Sequence, residues 1–205
     1  MPHYRLETEF APRRVCGVDE AGCGPWAGPV VAASVYFTQW QAIPKGLDDS
    51  KKLTAKVREE LIAQLMGDPA RIHFGVGVAT VEEIDALNIW GATALAMKRA
   101  VEQLPLKPEI ALIDGKRRPR DFPCAIETVI GGDGISLSIA AASVIAKVTR
   151  DRMMQELAAL YPHYGFERHA GYGTKYHQEA LAAHGPSPAH RRSFQPIKLL
   201  LEATA

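Results

Sequence analysis

The chain has 205 residues, a formal net charge of +1 and a hydrophobic fraction of 47%. This length suits one domain, or one domain with a small appendage, and nothing in the composition indicates disorder. The global charge is too small to attract a nucleic acid, so such a partner would have to be bound by local basic patches. No apolar run approaches about 18 residues and no secretory signal opens the chain. We therefore predict a cytoplasmic protein without a membrane span.

Hydrophobic periodicity and turn residues divide the chain into alternating strands and helices. The predicted strands cover residues 14–20, 29–37, 71–79, 109–115 and 124–130. The first predicted helix covers residues 55–66 after an N-cap at Thr54. A short helix starts with the capping-box pattern Thr80-Val81-Glu82-Glu83, and a longer one follows over residues 88–103. Further helices are predicted from Ser136 or Ser138 to about Tyr161, over residues 176–183 and over residues 194–203. The pattern indicates an α/β fold.

A glycine-rich bend joins the first two strands and directly follows two adjacent acids, Asp19 and Glu20. Side chains alternate faces along a strand, so the two acids reach one ion together only if the strand ends or kinks there. Glycines in the bend permit that kink and leave the backbone open to a sugar or phosphate. The segment 22–27 also fits the dinucleotide-binding spacing G-x-G-x-x-G/A, but that motif must open a helix, and residues 29–37 are predicted to form a strand.

Acidic residues stand at three separate strand ends. Asp19 and Glu20 end the first strand, Asp114 ends the fourth, and Asp133 follows the fifth. Open sheets place function at strand ends, and four converging carboxylates repel one another unless divalent cations lie between them. Oxygen-only ligands favour Mg²⁺ or Mn²⁺ over zinc. The sequence therefore predicts a divalent-metal site, with simple loop capping as the alternative for any single acid.

The cysteines and histidines show no metal-site spacing. Cys16, Cys23 and Cys124 lack a C-x-x-C pair, so neither a zinc site nor a disulfide framework is predicted, and Cys16 and Cys124 are expected in the core. Five of the seven histidines lie between His163 and Lys198, a segment with five Lys or Arg and two Glu. This composition predicts a basic, aromatic-bearing appendage.

Several motifs together resemble the ribonuclease HII family, the type 2 ribonucleases H, over nearly the whole chain. They are Val18-Asp19-Glu20-Ala21-Gly22-Cys23-Gly24-Pro25, Asp49-Ser50-Lys51-Lys52-Leu53, Ile113-Asp114-Gly115, Gly132-Asp133, the run 140–151, Gly171-Tyr172-Gly173-Thr174 with His177, and His190-Arg191 with Ser193-Phe194. The resemblance implies a ribonuclease H-like fold: a mixed five-stranded sheet flanked by helices, with a C-terminal helical extension. By this reading residues 1–161 form the catalytic core, and residues 162–205 form the extension that covers the substrate groove.

The resemblance also implies the activity and its residues. The expected enzyme cleaves the RNA strand of RNA–DNA hybrids and incises on the 5′ side of ribonucleotides in duplex DNA, leaving 3′-hydroxyl and 5′-phosphate ends. Carried over by position, Asp19, Glu20, Asp114 and Asp133 are the catalytic residues, which bind two divalent cations, Mg²⁺ or Mn²⁺. The substrate-binding residues implied are Gly22, Cys23, Gly24, Lys51, Lys52, Tyr172 and Arg191, together with the basic cluster around Arg117. The protein is expected to act as a monomer.

Two positions depart from the family pattern. The family has arginine between the two glycines of the bend, where this chain has Cys23, and it usually has lysine before the last aspartate, where this chain has Gly132. Both departures remove positive charge near the substrate. They therefore leave a binding protein of the same fold that does not cut as an alternative hypothesis. A nuclease of related fold that cuts DNA junctions is a third hypothesis.

Overall fold

The computed structural model describes residues 1–203, and its centre is a mixed five-stranded sheet. The strands are β1 (Val15–Ala21), β2 (Val30–Phe37), β3 (Ile72–Ala79), β4 (Ile110–Asp114) and β5 (Ala125–Val129), in the spatial order β3-β2-β1-β4-β5. β2 pairs antiparallel with β1 and β3, whereas β4 is parallel to β1 and β5. The α/β class and the mixed five-stranded sheet predicted from the sequence are confirmed.

Seven helices surround the sheet in the described part of the chain. They are α1 (Arg5–Glu9), α2 (Ala55–Gly67), α3 (Val81–Glu102), α4 (Leu137–Leu160), α5 (Phe166–His169), α6 (Lys175–His184) and α7 (Gln195–Ala203). Thr54 and Ser136 cap α2 and α4 through their hydroxyls, and Thr80 forms a complete capping box with Glu83. No helix within residues 1–203 is long and apolar enough to cross a membrane.

The two long helices pack on opposite faces of the sheet at very short range. A Cβ atom added at Gly77 of β3 would lie 2.0 Å from the Ala96 carbonyl oxygen of α3, and one at Gly17 of β1 would lie 2.2 Å from the Ser138 backbone of α4. Such close approach requires the absence of a side chain. The buried alanines of α4 meet the sheet in the same way, so this helix lies directly against β1, as its small residues predicted.

Helix α3 is kinked at Asn88, which has φ 58° and ψ 170°. The Asn88 side-chain oxygen accepts hydrogen bonds from the Trp90 and Gly91 backbone N–H groups, at 3.0 and 3.2 Å. This is an N-cap in the middle of the element. The kink divides α3 into the short and the long helix that the sequence predicted.

The N-terminal helix α1 is a feature that the sequence did not predict. Its Glu7 is buried, and Oε1 accepts hydrogen bonds from both the Ser136 and Ser138 hydroxyls at 2.6 Å and from the Ser138 backbone N–H. An acid suits this place because the N-terminus of a helix carries partial positive charge. Glu7 therefore ties the start of the chain to the N-terminus of α4.

The C-terminal elements share a hydrophobic cluster with the bend after β1 and with α4. Phe166, Leu181 and Ile197 pack there with Ala27 from the bend and Met154 from α4. The division into a core of residues 1–161 and an extension of residues 162–205 stays a prediction, and its last two residues lie outside the described part of the chain.

Candidate active site

Acidic residues lie at the C-terminal ends of three strands, and so at one end of the sheet. β1 and β4 run parallel with Val18 beside Ile113, so Asp19 and Asp114 stand level on neighbouring strands. Adjacent strands lie about 4.8 Å apart. Asp133 follows the end of β5 in a short 3₁₀ turn, Gly132–Gly134. This end of the sheet therefore carries acids from β1, β4 and the turn after β5.

Glu20 lies at the same end of the sheet, because β1 ends one residue later, as one of the two predicted alternatives required, and does not kink between the acids. β1 remains regular through Glu20, which pairs with Ala32, and ends at Ala21. The chain turns only at Gly22, which has φ 101°. Asp19 and Glu20 nevertheless line the same groove, because the groove lies at the open end of β1.

The acids perturb one another electrostatically. Burial and the neighbouring carboxylates of Glu20 and Asp114 hold the pKa of Asp19 well above its usual range. Burial and Asp114 also raise the pKa of Glu20, and burial, Asp114 and Asp49 raise the pKa of Asp133. Only 4% of Asp19 and 8% of Asp133 is exposed. The fully ionised cluster is therefore unfavourable in the absence of a cation.

Backbone groups hold two of the carboxylates in place. Asp19 Oδ1 accepts a hydrogen bond from the Glu20 backbone N–H at 2.7 Å, and Asp114 Oδ1 accepts one from the Gly132 backbone N–H at 2.7 Å. The second bond connects the end of β4 to the turn that carries Asp133. The turn and strand thus fix the relative positions of Asp114 and Asp133.

The donor set fits hard divalent cations. It offers only carboxylate oxygens, which Mg²⁺ and Mn²⁺ prefer, and a cation would offset the burial and the mutual repulsion that raise the pKa values of Asp19, Glu20 and Asp133. Among residues 1–203, no group of three or more His, Cys, Asp or Glu side chains is already arranged to ligate an ion. The carboxylates would therefore have to draw together around a bound cation.

A groove of 340 Å³ runs beside the acids. Its lining includes Asp19, Glu20, the bend from Gly22 to Gly24, Lys51 and Tyr172. The Tyr172 ring packs over the bend, since a Cβ atom at Gly24 would lie 3.3 Å from it, and 52% of Tyr172 is exposed. The structure thus gathers Asp19, Glu20, the bend and Tyr172 around one opening.

The two lysines predicted to bind substrate lie on the loop opposite the bend. Lys51 Nζ is 3.9 Å from Asp133 Oδ2, and Lys52 Nζ forms an ion pair with Asp48 at 3.3 Å. Burial opposes the charged form of Lys51, but the surrounding carboxylates, with Asp49 and Asp19 foremost, raise its pKa. Both side chains are largely exposed. Lys51 lines the groove, whereas Lys52 stands beside it.

Arg191 does not occupy the position predicted for it. Its side chain is fully buried, and its guanidinium donates to the carbonyl oxygens of the bend, including those of Gly22 at 2.6 Å and Pro25 at 2.7 Å. Each of its five N–H groups has such an acceptor. No donor is left for a phosphate, so the prediction that Arg191 binds substrate directly is wrong.

The chain is similar to a known protein family over most of its length. Residues 16–197 match the family model described as Ribonuclease HII. The chain belongs to the ribonuclease HII family. It is 57% identical to a ribonuclease HII of Parvibaculum lavamentivorans over 98% of this chain and 74% of that protein. It is 52% identical to a ribonuclease HII of Gluconobacter oxydans over 100% of this chain and 99% of that protein.

Solved structures support the same assignment. The crystal structure of ribonuclease H2 from Pyrococcus horikoshii matches with a TM-score of 0.74 and 26% identity, over 93% of this chain and 98% of that one. The crystal structure of Bst-RNase HIII in complex with Mn²⁺ has a TM-score of 0.70 at 19% identity, over 96% of this chain and 71% of that one, and shows the shared fold. The ribonuclease H-like fold is confirmed.

Membership of the ribonuclease HII family gives the general activity. The chain is a ribonuclease H, a hydrolase of a family that acts on RNA–DNA hybrids and depends on divalent metal ions. The four carboxylates described above lie within the matched region.

Cys23, the first departure from the ribonuclease HII pattern, lies between the groove and a second cavity and lines both. Its Sγ lies 3.5 Å from Glu20 Oε1 and 3.3 Å from Thr93 Oγ1, beside the second cavity, which has a volume of 280 Å³ and which Trp90 and Arg117 also line. Burial, followed by the charge of Glu20, raises the pKa of the Cys23 thiol to about 12. The thiol is therefore protonated and unreactive at neutral pH.

Replacing Cys23 by arginine is expected to tighten substrate binding. The side chain would enter a cavity with room for it, and a charge-assisted hydrogen bond to a phosphate contributes about 1.5–3 kcal/mol, or roughly tenfold to a hundredfold in affinity. Titrating wild type and Cys23→Arg with an RNA–DNA hybrid at several salt concentrations measures the effect. The salt slope should steepen by about one unit. Unchanged affinity and slope would mean that the guanidinium finds no phosphate.

Gly132, the second departure from the ribonuclease HII pattern, occupies a crowded position. A Cβ atom there would lie 2.6 Å from Ile139 Cδ1 and 3.2 Å from Val129 Cβ. A lysine would therefore require the Ile139 side chain to move. The glycine allows the turn to approach Asp114 closely enough for the backbone hydrogen bond described above.

Sequence reasoning missed four residues at the site of this ribonuclease HII. Lys147 lines the groove from α4, Asp49 acts electrostatically on Asp133, and Thr93 contacts Cys23. Arg150 is buried and donates to the carbonyl oxygens of Ala27, Pro29 and Ala170. Asp49, Lys147 and Arg150 lie within motifs that carry the resemblance, which was the available signal. Thr93 had none.

Two histidines of the appendage support the Tyr172 loop. Ser187 N–H donates to His190 Nδ1 at 3.0 Å, so a neutral His190 carries its proton on Nε2 and donates it to His177 Nε2 at 2.9 Å. His177 Nδ1–H then donates to the Tyr172 carbonyl oxygen at 3.0 Å. This chain of bonds requires both rings to be neutral. The histidines are thus part of the packing and not a metal cluster in the described structure.

Acidification is expected to destabilise the protein through this pair. Burial, and then His177, lowers the pKa of His190 to about 4, and burial lowers that of His177. Between pH 6.5 and 4 the unfolded state binds protons that the folded state does not, so stability falls as the pH falls, by up to about 3 kcal/mol for His190. Urea unfolding at pH 7.5 and 4.5 should show a larger loss for wild type than for His190→Gln. Equal losses would contradict the prediction. The opposite effect of the raised Asp19 pKa is common to both proteins.

Proposed function

We propose that this ribonuclease HII incises duplex DNA on the 5′ side of embedded ribonucleotides, in addition to cutting the RNA strand of hybrids, and leaves 3′-hydroxyl and 5′-phosphate ends. One observation carries the proposal: the groove that Asp19 and Glu20 line also presents the bend and the exposed ring of Tyr172. A tyrosine and bare backbone amides are groups that can contact a single ribose and its 2′-hydroxyl. Recognition of one ribonucleotide is therefore supported.

The four carboxylates, Asp19, Glu20, Asp114 and Asp133, are proposed to hold two divalent cations, Mg²⁺ or Mn²⁺. The all-oxygen donor set and the mutual repulsion of the acids support this role. The Mn²⁺ in the RNase HIII crystal structure shows that this fold accepts such an ion in that protein. Divalent cations at such a site activate water and stabilise the leaving oxygen.

The chain's own residues position the substrate around this centre. Lys51 faces the groove beside Asp133, and Lys147 does so from α4, so both can meet phosphates of the bound strands. Lys52 and the exposed Arg117 lie further out and are proposed to contact the flanking backbone. We propose that the enzyme acts as a monomer, and, because its substrates are duplexes of the genome, in the cytoplasm.

An assay on one duplex distinguishes the proposal from its rivals. A DNA duplex with a single ribonucleotide is incubated with the protein and Mg²⁺ or Mn²⁺, beside an all-DNA duplex and an all-DNA four-way junction. We expect a nick at the 5′ side of the ribonucleotide and none in the controls. Binding without a nick at any metal concentration would indicate a non-cleaving binder, and cutting of the junction would indicate a resolvase. Ligation and phosphatase treatment of the product identify its ends.

A further inference from the structure

Two fully buried arginines lie side by side under the glycine bend. Arg191 and Arg150 are 0% and 2% exposed, and every hydrogen-bond acceptor that they reach within residues 1–203 is a main-chain carbonyl oxygen. They share one acceptor, the carbonyl oxygen of Pro29. Burying two like charges without a carboxylate is costly. An apolar core would not require this arrangement, so the guanidiniums must satisfy or orient the carbonyl groups that they bind.

The two arginines divide the carbonyl groups between them. Arg191 takes those of Gly22 and Cys23, at 2.6 and 3.2 Å, and also those of Pro25, Gly28 and Pro29. Arg150 takes none from Gly22 or Cys23. Arg150 packs against Gly22 and also lines the groove, but only Arg191 donates to the carbonyl groups of the two bend residues Gly22 and Cys23.

The direction of these carbonyls sets the direction of the amides. In a trans peptide group the C=O and the N–H point in opposite directions. The Gly22 and Cys23 carbonyls point inward to Arg191, so the N–H groups of Cys23 and Gly24 point away from it, on the side of the groove. The backbone on either side is held as well, because Trp26 N–H donates to the Gly171 carbonyl and Arg191 N–H donates to the Trp26 carbonyl.

We propose that Arg191 is a positioning residue, whose guanidinium holds the glycine bend so that the Cys23 and Gly24 amides face the ribose 2′-hydroxyl of the substrate. This inference rests on the proposed recognition of a single ribonucleotide. It assigns selectivity for RNA in part to a side chain that never touches the substrate. The Arg191 backbone N–H donates to the Trp26 carbonyl, and the Trp26 N–H donates to the Gly171 carbonyl, so these bonds connect the bend to the loop that carries Tyr172. The bend amides and Tyr172, which are both proposed to contact the sugar, are therefore held by the same hydrogen bonds.

Substitution of Arg191 by lysine tests the proposal, because lysine keeps the charge but cannot reproduce the planar fork of five donors. The first measurement is kcat/KM for nicking a duplex with one ribonucleotide. The second is the inhibition constant of the same duplex in all-DNA form, which measures the affinity for the phosphate backbone in the absence of a 2′-hydroxyl. A positioning role predicts a loss of roughly tenfold to a hundredfold in kcat/KM, with the inhibition constant and its salt slope unchanged. A weaker inhibition constant with a shallower salt slope would overturn it in favour of direct phosphate binding.

Two matched variants separate positioning from general stability. Arg192→Lys changes the neighbouring exposed arginine and should leave both measurements unchanged. Arg150→Lys changes the other buried arginine. It should lower the melting temperature about as much as Arg191→Lys does, but should lower kcat/KM on the ribonucleotide duplex, relative to binding of the all-DNA duplex, by less. Equal loss of preference in Arg150→Lys and Arg191→Lys would show that the effect is only structural.

A spectroscopic measurement tests the inference even if the nicking activity is absent. In ¹⁵N–¹H spectra of the full-length protein, the Cys23 and Gly24 amide resonances should shift in Arg191→Lys and stay in place in Arg192→Lys. Unchanged Cys23 and Gly24 resonances in Arg191→Lys would overturn the proposal. A wild type that fails to nick the ribonucleotide duplex would instead refute the proposed function. If Arg191→Lys does not fold, Arg191→Gln, which keeps part of the planar group, takes its place in both measurements.

Discussion

Asp19→Asn and Asp114→Asn are each expected to reduce cleavage by about a thousandfold or more, which corresponds to at least about 4 kcal/mol of lost transition-state stabilisation. A neutral amide is a weak ligand for a hard cation, so either substitution removes a carboxylate on which the proposed metal site depends. Single-turnover nicking of the ribonucleotide duplex, over a range of Mg²⁺ and Mn²⁺ concentrations, measures the loss. Activity near wild type in either variant would remove that residue from the metal site.

The same substitutions should leave the metal-free protein as stable as before, or more so. The pKa of Asp19 is raised by burial and by Glu20 and Asp114, so its ionisation at neutral pH opposes folding. Removing the charge relieves that cost. We expect the melting temperature without metal to hold or rise, and its increase on adding Mg²⁺ or Mn²⁺ to disappear. A large fall without metal would mark these residues as structural.

Asp68→Asn serves as the control for both measurements. Asp68 follows α2, forms an ion pair with Arg71 at 2.6 Å and does not line the groove. This variant should keep wild-type cleavage and the wild-type response to metal. A loss of activity there would show that removal of an acid harms the enzyme by a route other than the metal site.

Tyr172 is expected to contribute strongly to cleavage at a ribonucleotide. Its ring packs over Gly24 and its hydroxyl has no partner within residues 1–203, so the phenol is available to a sugar. Tyr172→Phe keeps the ring and loses a hydrogen bond, and should lower cleavage several-fold. Tyr172→Ala also loses the contact with the sugar, and should lower cleavage roughly tenfold to a hundredfold. Neither change should alter the melting temperature much, because half of the side chain is exposed.

Tyr176→Phe is the matched control for Tyr172. Tyr176 is also exposed, but its ring packs against Gly165 and under the Arg168 guanidinium, 5.2 Å from the ring centroid. Kinetics of Tyr172→Phe and Tyr176→Phe on the single-ribonucleotide duplex, with a 2′-deoxy duplex beside it, give the comparison. Equal effects at the two tyrosines would contradict the assignment of Tyr172 as the residue that recognises the ribose.

The sequence by itself determined the five strands, the helices other than α1 and α5, and the position of the acids along the chain. Strand alternation, the Thr80 capping box and the Thr54 cap depend on residues a few positions apart, so their signals are local and readable. The asparagine cap at Asn88 is also a local signal, and the start of the longer helix was predicted there. The motifs around Asp19, Asp114 and Asp133 also identified the family, because each contains several fixed residue types.

Only the tertiary structure decided what the basic and polar side chains contact. Arg191 looked like a phosphate ligand, yet its acceptors lie more than 160 positions earlier in the chain. Glu7 reaches Ser136 across 129 positions, and Cys23 turns to Thr93 across 70. No periodicity or spacing encodes such contacts. They follow from the packing of α4 against β1 and of the appendage against the bend, which brings distant carbonyls, hydroxyls and charges within hydrogen-bond reach only when the whole sheet has formed.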